Sequence, residues 1–298
     1  LRPTVNATSP AYCLRVTNDG SALDSYSKVA ELRMRFDPQI SGLTLNAGQN
    51  IILTPGTTTI LTATGTVTDL NGYADLVSAT SSMYRSNVAL DAQCTANDSS
   101  CYKIGTSSCS FSSCSGNSCT VSCSASIYFF ADPTDIGTYN LENWLSFVSV
   151  LDSGGSYGTS TSIGQELLTL RALSVAQSIN YGSLEILTDT GAYNSTTTVQ
   201  NIGNDAIDIS VAGTDMTYGS TSTIPVSQQK YSTSTFSYAG CGICNLLSTT
   251  TSNLEVDLAK PTTTAPVTSD DVYWGIAIPY GIASAPHQGS NTFYAIGD

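Results

Sequence analysis

The sequence has few charged residues and almost no histidine. Asp, Glu, Lys and Arg make up 11% of the 298 residues, and His287 is the one histidine. Lys and Arg number ten against 23 acidic residues, which gives a net charge of −13. Because nucleic-acid binding needs clusters of cations to neutralise phosphates, we expect no nucleic-acid partner.

Other features that are missing exclude further classes of protein. No stretch approaches the roughly 20 consecutive apolar residues of a membrane span, so we expect no transmembrane segment. A Ser/His/Asp triad would need His287, which lies in a predicted exposed turn at residues 285–289, and no other catalytic constellation is convincing. We therefore expect a protein that is not an enzyme, with a secreted hydrolase as the least favoured alternative. A start at Leu1 without methionine is expected for a processed mature protein.

Serine, threonine, glycine and asparagine take the place of the charged residues. These small and β-branched residues are indifferent helix formers, so the composition favours strands and turns. Residues 194–211 show the pattern best, since two β-rich runs flank turn residues at 201–205, which predicts a hairpin. On its second arm Ile207, Ile209 and Val211 alternate with polar residues, as in a strand with one buried face.

The same alternation fills most of the chain and predicts two domains. The length is large for one β-sandwich and suits two. We predict an all-β fold of two tandem immunoglobulin-like β-sandwich domains, at residues 37–172 and 173–298, with Trp144 in the first core. Residues 91–118 are predicted to be a cysteine-rich loop inserted in the first domain. Residues 1–36 form an N-terminal extension.

The extension contains five of the ten basic residues and one well-alternating stretch. Leu32, Met34 and Phe36 lie on one face of this predicted strand, and Arg33 and Arg35 lie on the other. Two interpretations stay open. The stretch is either the first strand of the first sandwich domain of the same chain, or an assembly strand that a neighbouring subunit accepts into its sheet.

Nine cysteines in a Ser/Thr-rich β protein indicate disulfides and an oxidising, extracellular environment. Zinc is the alternative for the Cys-x2-Cys and Cys-x3-Cys spacings, although no histidine lies near them. The favoured local pairs are Cys94 with Cys101 and Cys241 with Cys244. Two more bonds are expected among Cys109, Cys114, Cys119 and Cys123. Cys13 is the odd residue, either bridging to another subunit or a free buried thiol.

Oxygen-rich loops at the sandwich ends are candidates for binding calcium, the one cofactor that the sequence suggests. Asx turns, in which the side chain bonds its own backbone, are the alternative. The candidate ligands are Asp69, Asn71 and Asp75 in one loop, and Asp132 and Asp135 in another. Asn6, Asn97 and Asn194 each begin an Asn-x-Ser/Thr sequon and are candidate glycosylation sites.

Several stretches resemble one group of proteins. They are Thr66-Val67-Thr68-Asp69-Leu70-Asn71-Gly72, Phe130-Ala131-Asp132-Pro133-Thr134-Asp135 on to Trp144, Val199-Gln200-Asn201-Ile202-Gly203-Asn204, Tyr273-Trp274-Gly275-Ile276, and Thr292-Phe293-Tyr294-Ala295. They are similar to tandem Ig-like secreted surface proteins of ultrasmall candidate-phylum bacteria and some archaea. The resemblance covers about residues 37–298, and it implies a surface, adhesive or filament-forming role.

The leading hypothesis is a pilus-like structural subunit of an extracellular filament or surface layer. It would polymerise head to tail by strand exchange (donor-strand complementation), with disulfides adding stability, so its partners would be copies of itself. The alternative is a secreted adhesin or binding module that recognises glycans or other cells through residues 91–118.

Overall fold

A computed structural model describes residues 11–13, 31–33, 35–88, 94–175 and 178–298. The described residues form strands and short 3-10 helices and contain no α-helix. The strands are β1 (Ala11–Cys13), β2 (Glu31–Arg33), β3 (Gln39–Leu45), β4 (Thr58–Thr68), β5 (Leu76–Arg85), β6 (Cys101–Ile104), β7 (Cys109–Ser115), β8 (Ser118–Tyr128), β9 (Trp144–Asp152), β10 (Tyr157–Thr161), β11 (Leu173–Val175), β12 (Ser195–Asn201), β13 (Ile207–Gly213), β14 (Met216–Tyr218), β15 (Ser222–Ile224), β16 (Gln229–Ser232), β17 (Asn245–Leu246), β18 (Ser252–Leu258), β19 (Ser269–Ile276) and β20 (Asn291–Gly297). The 3-10 helices are Asn46–Gly48, Tyr73–Asp75, Thr106–Ser108, Gly137–Tyr139 and Val226–Gln228.

The first sandwich consists of two four-stranded antiparallel sheets. One has the order β3-β4-β8-β7 and the other the order β10-β9-β5-β6. The alternation of β4 and β8 directs Leu61, Ala63 and Val67 of β4 into the core that the two sheets enclose. Trp144 at the start of β9 is fully buried there, and its indole N–H donates to the carbonyl of Asp132 at 2.9 Å.

The second sandwich packs a five-stranded sheet against a three-stranded one. Their orders are β11-β12-β19-β16-β17 and β18-β13-β20, and β14 and β15 form a separate hairpin. Its core centres on Trp274, which stacks on Tyr231 with ring centroids 5.3 Å apart. The all-β class and the two sandwiches agree with the sequence prediction. The exact domain limits at residues 36 and 172 stay a prediction.

The predicted hairpin at residues 194–211 is wrong. β12 belongs to the five-stranded sheet and β13 to the three-stranded one, so the turn between them crosses from sheet to sheet. The Asn201 side chain explains the crossing, because its amide donates to the carbonyls of Asp205, Leu258 and Ala259. These bonds tie the turn to the end of β18 in the opposite sheet.

Residues 91–118 also differ from the prediction. The described part of this stretch contains β6 and β7 rather than a structureless loop. β7 is rich in serine and cysteine and buries little of its surface, so no apolar alternation marked it as a strand. Its pairing with β8 supplies the order that burial does not.

The turn between β12 and β13 also joins the two sandwiches. Asn204 lies at its end, almost fully buried, and its side chain accepts from the amide of Leu170 at 2.6 Å and donates to the carbonyl of Leu168 at 3.1 Å. The amide of Gly56, in a turn of the first sandwich, donates to the carbonyl of Ile202 at 3.0 Å. We call these contacts the joint.

Candidate functional site

Residues 35–38, which we call the anchor segment, attach the N-terminal extension to the first sandwich. The amide of Phe36 donates to Oδ1 of Asn71 at 2.9 Å. The guanidinium of Arg35 donates to the carbonyl of Gly154, in the turn between β9 and β10. Two loops of one sandwich end therefore hold the point from which residues 1–34 depart.

Residues before the anchor segment form a two-stranded ladder of their own. β1 pairs with β2 in antiparallel register, with Tyr12 opposite Leu32 and Cys13 opposite Glu31. The strand ends at Arg33, earlier than the alternation predicts, so Phe36 belongs to the anchor segment rather than to an assembly strand. Met34 and Asn6 lie outside the described residues, as do the side chains of Leu32 and Cys13.

Three carboxylates meet beside the anchor segment. Asp69 follows β4, Asp75 ends a 3-10 helix, and Asp152 ends β9; one oxygen from each lies within 4.8 Å of the others. Asp69 is 0% exposed and Asp152 is 2% exposed, and Oδ2 of each is buried without a hydrogen-bond partner. Asn71 does not complete the set through its Oδ1, which accepts the Phe36 amide instead.

The electrostatics of this acidic cluster follow from its burial. Burial raises the pKa of Asp69, because the charged form loses its hydration. The amide of Asn71, which donates to Oδ1 of Asp69 at 2.8 Å, opposes this shift, and the carboxylates of Asp75 and Asp152 add to it. The cluster thus favours any positive species that can enter it.

The sequence did not indicate Asp152 as a ligand, because a pairing between strands that are distant in the sequence brings it to the cluster. The pairing of β5 with β9 sets Leu76 opposite Asp152, which brings Asp75 and Asp152 together. The backbone then locks the two loops, since the amide of Ser153 donates to the carbonyl of Asp75 at 2.8 Å. No local spacing rule connects these positions.

The other predicted calcium ligands, Asp132 and Asp135, have different partners. Asp132 forms ion pairs with Arg85, at 3.2 Å, and with Lys260 of the second sandwich. Asp135 accepts from the amide and hydroxyl of Thr169 at 2.9 and 2.7 Å. Cations of the protein pair with Asp132, and Thr169 occupies one oxygen of Asp135, so both residues make structural contacts here, and calcium binding by this pair stays a prediction.

The charged cluster around Asp132 supports the joint. Arg85 also pairs with Glu142 and lies 3.6 Å over the ring of Tyr139. The Arg85, Asp132 and Glu142 side chains are each about a tenth exposed, so solvent screens the pairs little. Since Lys260 reaches Asp132 from the second sandwich, the cluster links the two cores electrostatically.

Eight of the nine cysteines form disulfides. The two local pairs have the partners that their spacing favours, and the remaining four bind β7 to β8. The bonds are Cys94–Cys101, Cys109–Cys123, Cys114–Cys119 and Cys241–Cys244. Sulfurs bonded to one another are not thiolate ligands, so the zinc alternative does not fit these positions. The cross-links hold the poorly buried β7 against the core.

The two described glycosylation candidates differ in access. Asn97 is exposed, and its Oδ1 accepts from the amide of Ser99 at 2.9 Å. Asn194 uses Oδ1 to accept from the amide of Phe236, while its Nδ2 is buried and has no hydrogen-bond partner. N-glycosylation needs an accessible Nδ2, so the burial of this atom disfavours a glycan at Asn194 in the folded protein, and glycosylation at either position stays a prediction.

Two open grooves border β6, the last strand in its sheet. One, of about 470 Å³, is lined by Ile60, Tyr102 and Ala125, and the other, of about 430 Å³, by Thr80 and Phe147. Both also touch residues 103–105 of β6 and the turn that follows it. A groove therefore lies on either side of residues 103–105, while Cys101 at the start of β6 is bridged to Asn97.

Ser222 and His287 form a serine–histidine pair that the sequence did not indicate. Their Oγ and Nε2 atoms are 2.7 Å apart, and Nδ1 of His287 donates to the carbonyl of Ala285 at 2.9 Å. The third member is a carbonyl rather than a carboxylate, and Ser222 is 5% exposed and accepts the amide of Ala283. The pair fastens a loop to β15 and does not reproduce a catalytic triad.

Gly154, Ser156 and Gly158 match the Gly-x-Ser-x-Gly spacing of a hydrolase nucleophile elbow, which escaped the sequence-based search for catalytic residues. An elbow requires a sharp turn from a strand into a helix. Here the turn joins the antiparallel strands β9 and β10, and the amide of Ser156 donates to Oδ1 of Asp152 at 2.7 Å. The match has a structural role in the turn.

Comparisons with known proteins leave the family open. No family model matches the chain, and no curated protein matches it. A titin A168–A169 structure is 10% identical, with a TM-score of 0.25, covering 59% of this chain and 70% of that one. BcpA, the major pilin subunit of Bacillus cereus, is 9% identical, with a TM-score of 0.24, covering 71% and 60%. The structure described as BspA_C_WT is 8% identical, with a TM-score of 0.23, covering 88% and 96%.

These similarities are too low to carry an argument about function. The resemblance to candidate-phylum surface proteins accordingly stays a prediction. Within the described ranges, no helix has the length and apolar composition needed to cross a membrane. The four disulfides fit a surface structural or binding module from an oxidising environment.

Proposed function

We propose that the chain is a structural subunit of an extracellular filament or surface layer and performs no catalysis. Each subunit donates a strand from residues 1–34 to the next, so that one contact repeats head to tail. A head-to-tail contact that does not close into a ring generates a filament.

The observation that carries this proposal is the separate β1–β2 ladder. Among the described strands it belongs to none of the four sandwich sheets, and it precedes an anchor segment that is fixed to the first sandwich. Its three residue pairs form a short, two-stranded structure of marginal stability on its own. Exchange of this ladder for pairing with a neighbour therefore loses little stability.

The edge of β6 is the acceptor that fits such a strand. Strand addition needs an unpaired edge for the backbone and pockets on both faces for alternating side chains. β6 is the last strand of its sheet, and a groove lies on either side of residues 103–105, whereas Cys101 at the start of the strand is already bridged to Asn97. Apolar residues such as Leu32 and Met34 would fill one groove.

Deleting residues 1–34 tests the proposal. The variant is expected to fold, because the two cores are built from residues 43–167 and 199–274. Negative-stain microscopy and sedimentation should show filaments for the full chain and only monomers for the variant.

Deleting residues 1–10 is the matched control, since both β1 and β2 remain, and this variant is expected to assemble. Filaments formed in equal yield by the variant lacking residues 1–34 would reject strand donation. A full chain that stays monomeric at all concentrations would reject the filament itself.

The grooves beside β6 also support the second candidate, a secreted binding module. An adhesin would act as an isolated monomer and would bind an extended ligand at this same edge of β6. Glycan-array or cell-binding measurements on the monomer lacking residues 1–34 separate the two functions, because binding without assembly favours the adhesin.

A further inference from the structure

Among the described residues, no lysine or arginine forms an ion pair with Asp69, Asp75 or Asp152, the three carboxylates of the acidic cluster. Two of its carboxylates are almost completely buried, and their Oδ2 atoms have no hydrogen-bond partner. Burying ionised carboxylates close together without a cation is strongly unfavourable. The unpartnered oxygens and the short distances between the carboxylates together indicate a cation site.

We propose that Asp69, Asp75 and Asp152 bind one Ca²⁺ and that this ion locks the anchor segment onto the first sandwich. All the ligand atoms are oxygens, whereas zinc prefers sulfur and nitrogen donors, so the cluster favours calcium over zinc. Ca²⁺ accepts six to eight oxygens in flexible geometry, so three carboxylates from separate loops, with waters, suit it. Mg²⁺ demands a stricter octahedron and retains more of its water.

The lock follows from what the ligand residues hold. Asp69 accepts the amide of Asn71, and Asn71 in turn accepts the amide of Phe36. Asp152 begins the turn that presents the carbonyl of Gly154 to the Arg35 guanidinium. An ion that bridges Asp69 and Asp152 therefore fixes both attachment points of the anchor segment at once.

The consequence is that calcium sets the direction in which residues 1–34 leave the sandwich. This inference does not depend on filament formation, because the ion would order the anchor segment in a monomer as well. The alternative to a bound ion is that the Arg35 guanidinium, which lies beside the turn, balances the charge of the acidic cluster. In that case no calcium binding is expected.

Isothermal titration calorimetry tests the site. The full chain is first freed of metal with a chelator and is then titrated with CaCl₂ alone. We expect one ion per chain with a dissociation constant of about 10⁻⁴–10⁻³ M, as in extracellular modules. Asp152→Asn should weaken binding at least tenfold. Asp75→Asn is a second variant at the less buried side of the cluster, in case the first fails to fold, and it should have the same effect.

Asp257→Asn is the matched control. It belongs to a second carboxylate cluster with Asp208 and Asp298, in which Asp208 already accepts the amides of Val256 and Asp257. Its affinity for calcium should equal that of the unchanged chain. No measurable binding, or binding lost in Asp257→Asn and kept in Asp152→Asn, would overturn the site.

Amide hydrogen exchange at Phe36 tests the lock. Saturating Ca²⁺ should slow exchange of this amide at least tenfold in the full chain and leave it unchanged in Asp152→Asn. Calcium binding with no change at Phe36 would keep the site and overturn the lock. Assembly assays with and without Ca²⁺ report on filament formation separately, so failure of one proposal is distinguishable from failure of the other.

Discussion

Replacing Arg85 with alanine is expected to lower the unfolding free energy of the first sandwich by about 3–5 kcal/mol, the usual cost of breaking a buried ion pair. Arg85 pairs with Asp132 and Glu142. Asp132 would keep Lys260, but Glu142 would be left as a buried carboxylate that, within the described part of the chain, accepts only the amide of Asn87. The uncompensated charge, rather than the lost contact, accounts for most of the effect.

Urea denaturation followed by tryptophan fluorescence measures this change. Trp144 and Trp274 lie one in each core, so a Trp274→Phe background reports on the first sandwich alone. Arg171→Ala is the matched control, because its pair with Asp205 is 41% and 31% exposed and should contribute less than about 1 kcal/mol. Equal losses in the two variants would contradict the importance assigned to the buried cluster.

Replacing Gly203 with alanine is expected to open the joint between the sandwiches. A Cβ at this position would lie 2.0 Å from the carbonyl oxygen of Leu170 and 3.0 Å from the amide nitrogen of Ala172. Both are backbone atoms that no rotamer change can move. Overpacking usually costs about 1–3 kcal/mol and occasionally more, and a backbone clash belongs at the upper end of this range.

Two measurements follow the opening. Small-angle scattering should show a larger radius of gyration, and calorimetry should show two separate transitions in place of a coupled one. Gly240→Ala is the control, since a Cβ there meets no atom within 4 Å, and it should behave as the unchanged chain. A Gly203→Ala variant with unchanged scattering and a single transition would contradict the prediction that close packing at Gly203 holds the joint together.

Local alternation was enough to predict the fold class and many strands. Trp144 lies in the first core as predicted, and Ile207, Ile209 and Val211, whose alternation predicts a buried face, lie in the second core. Strands with an apolar face carry this signal in every second residue. Strands that lack such a face, such as β7, carry no signal, because disulfides and pairing stabilise them instead.

Long-range pairing is what the sequence did not reveal. The turn after β12 has hairpin composition, yet the bonds of Asn201 direct β13 into the opposite sheet. The acidic cluster was found only in part for the same reason. Asp69 and Asp75 share a loop, whereas Asp152 arrives through the register of β5 with β9. The local pattern of a single sequence does not show which distant strands pair with one another.

The most direct test of the account locates the donated strand in assembled material. Unlabelled and ¹⁵N-labelled chains would be mixed, assembled and cross-linked with a carbodiimide, which joins lysines to carboxylates, and the linked peptides identified by mass spectrometry. Strand donation predicts links between residues 11–34 of one isotope and residues 101–105 of the other, for example Glu31 to Lys103. Links from residues 11–34 that join only peptides of the same isotope would contradict it.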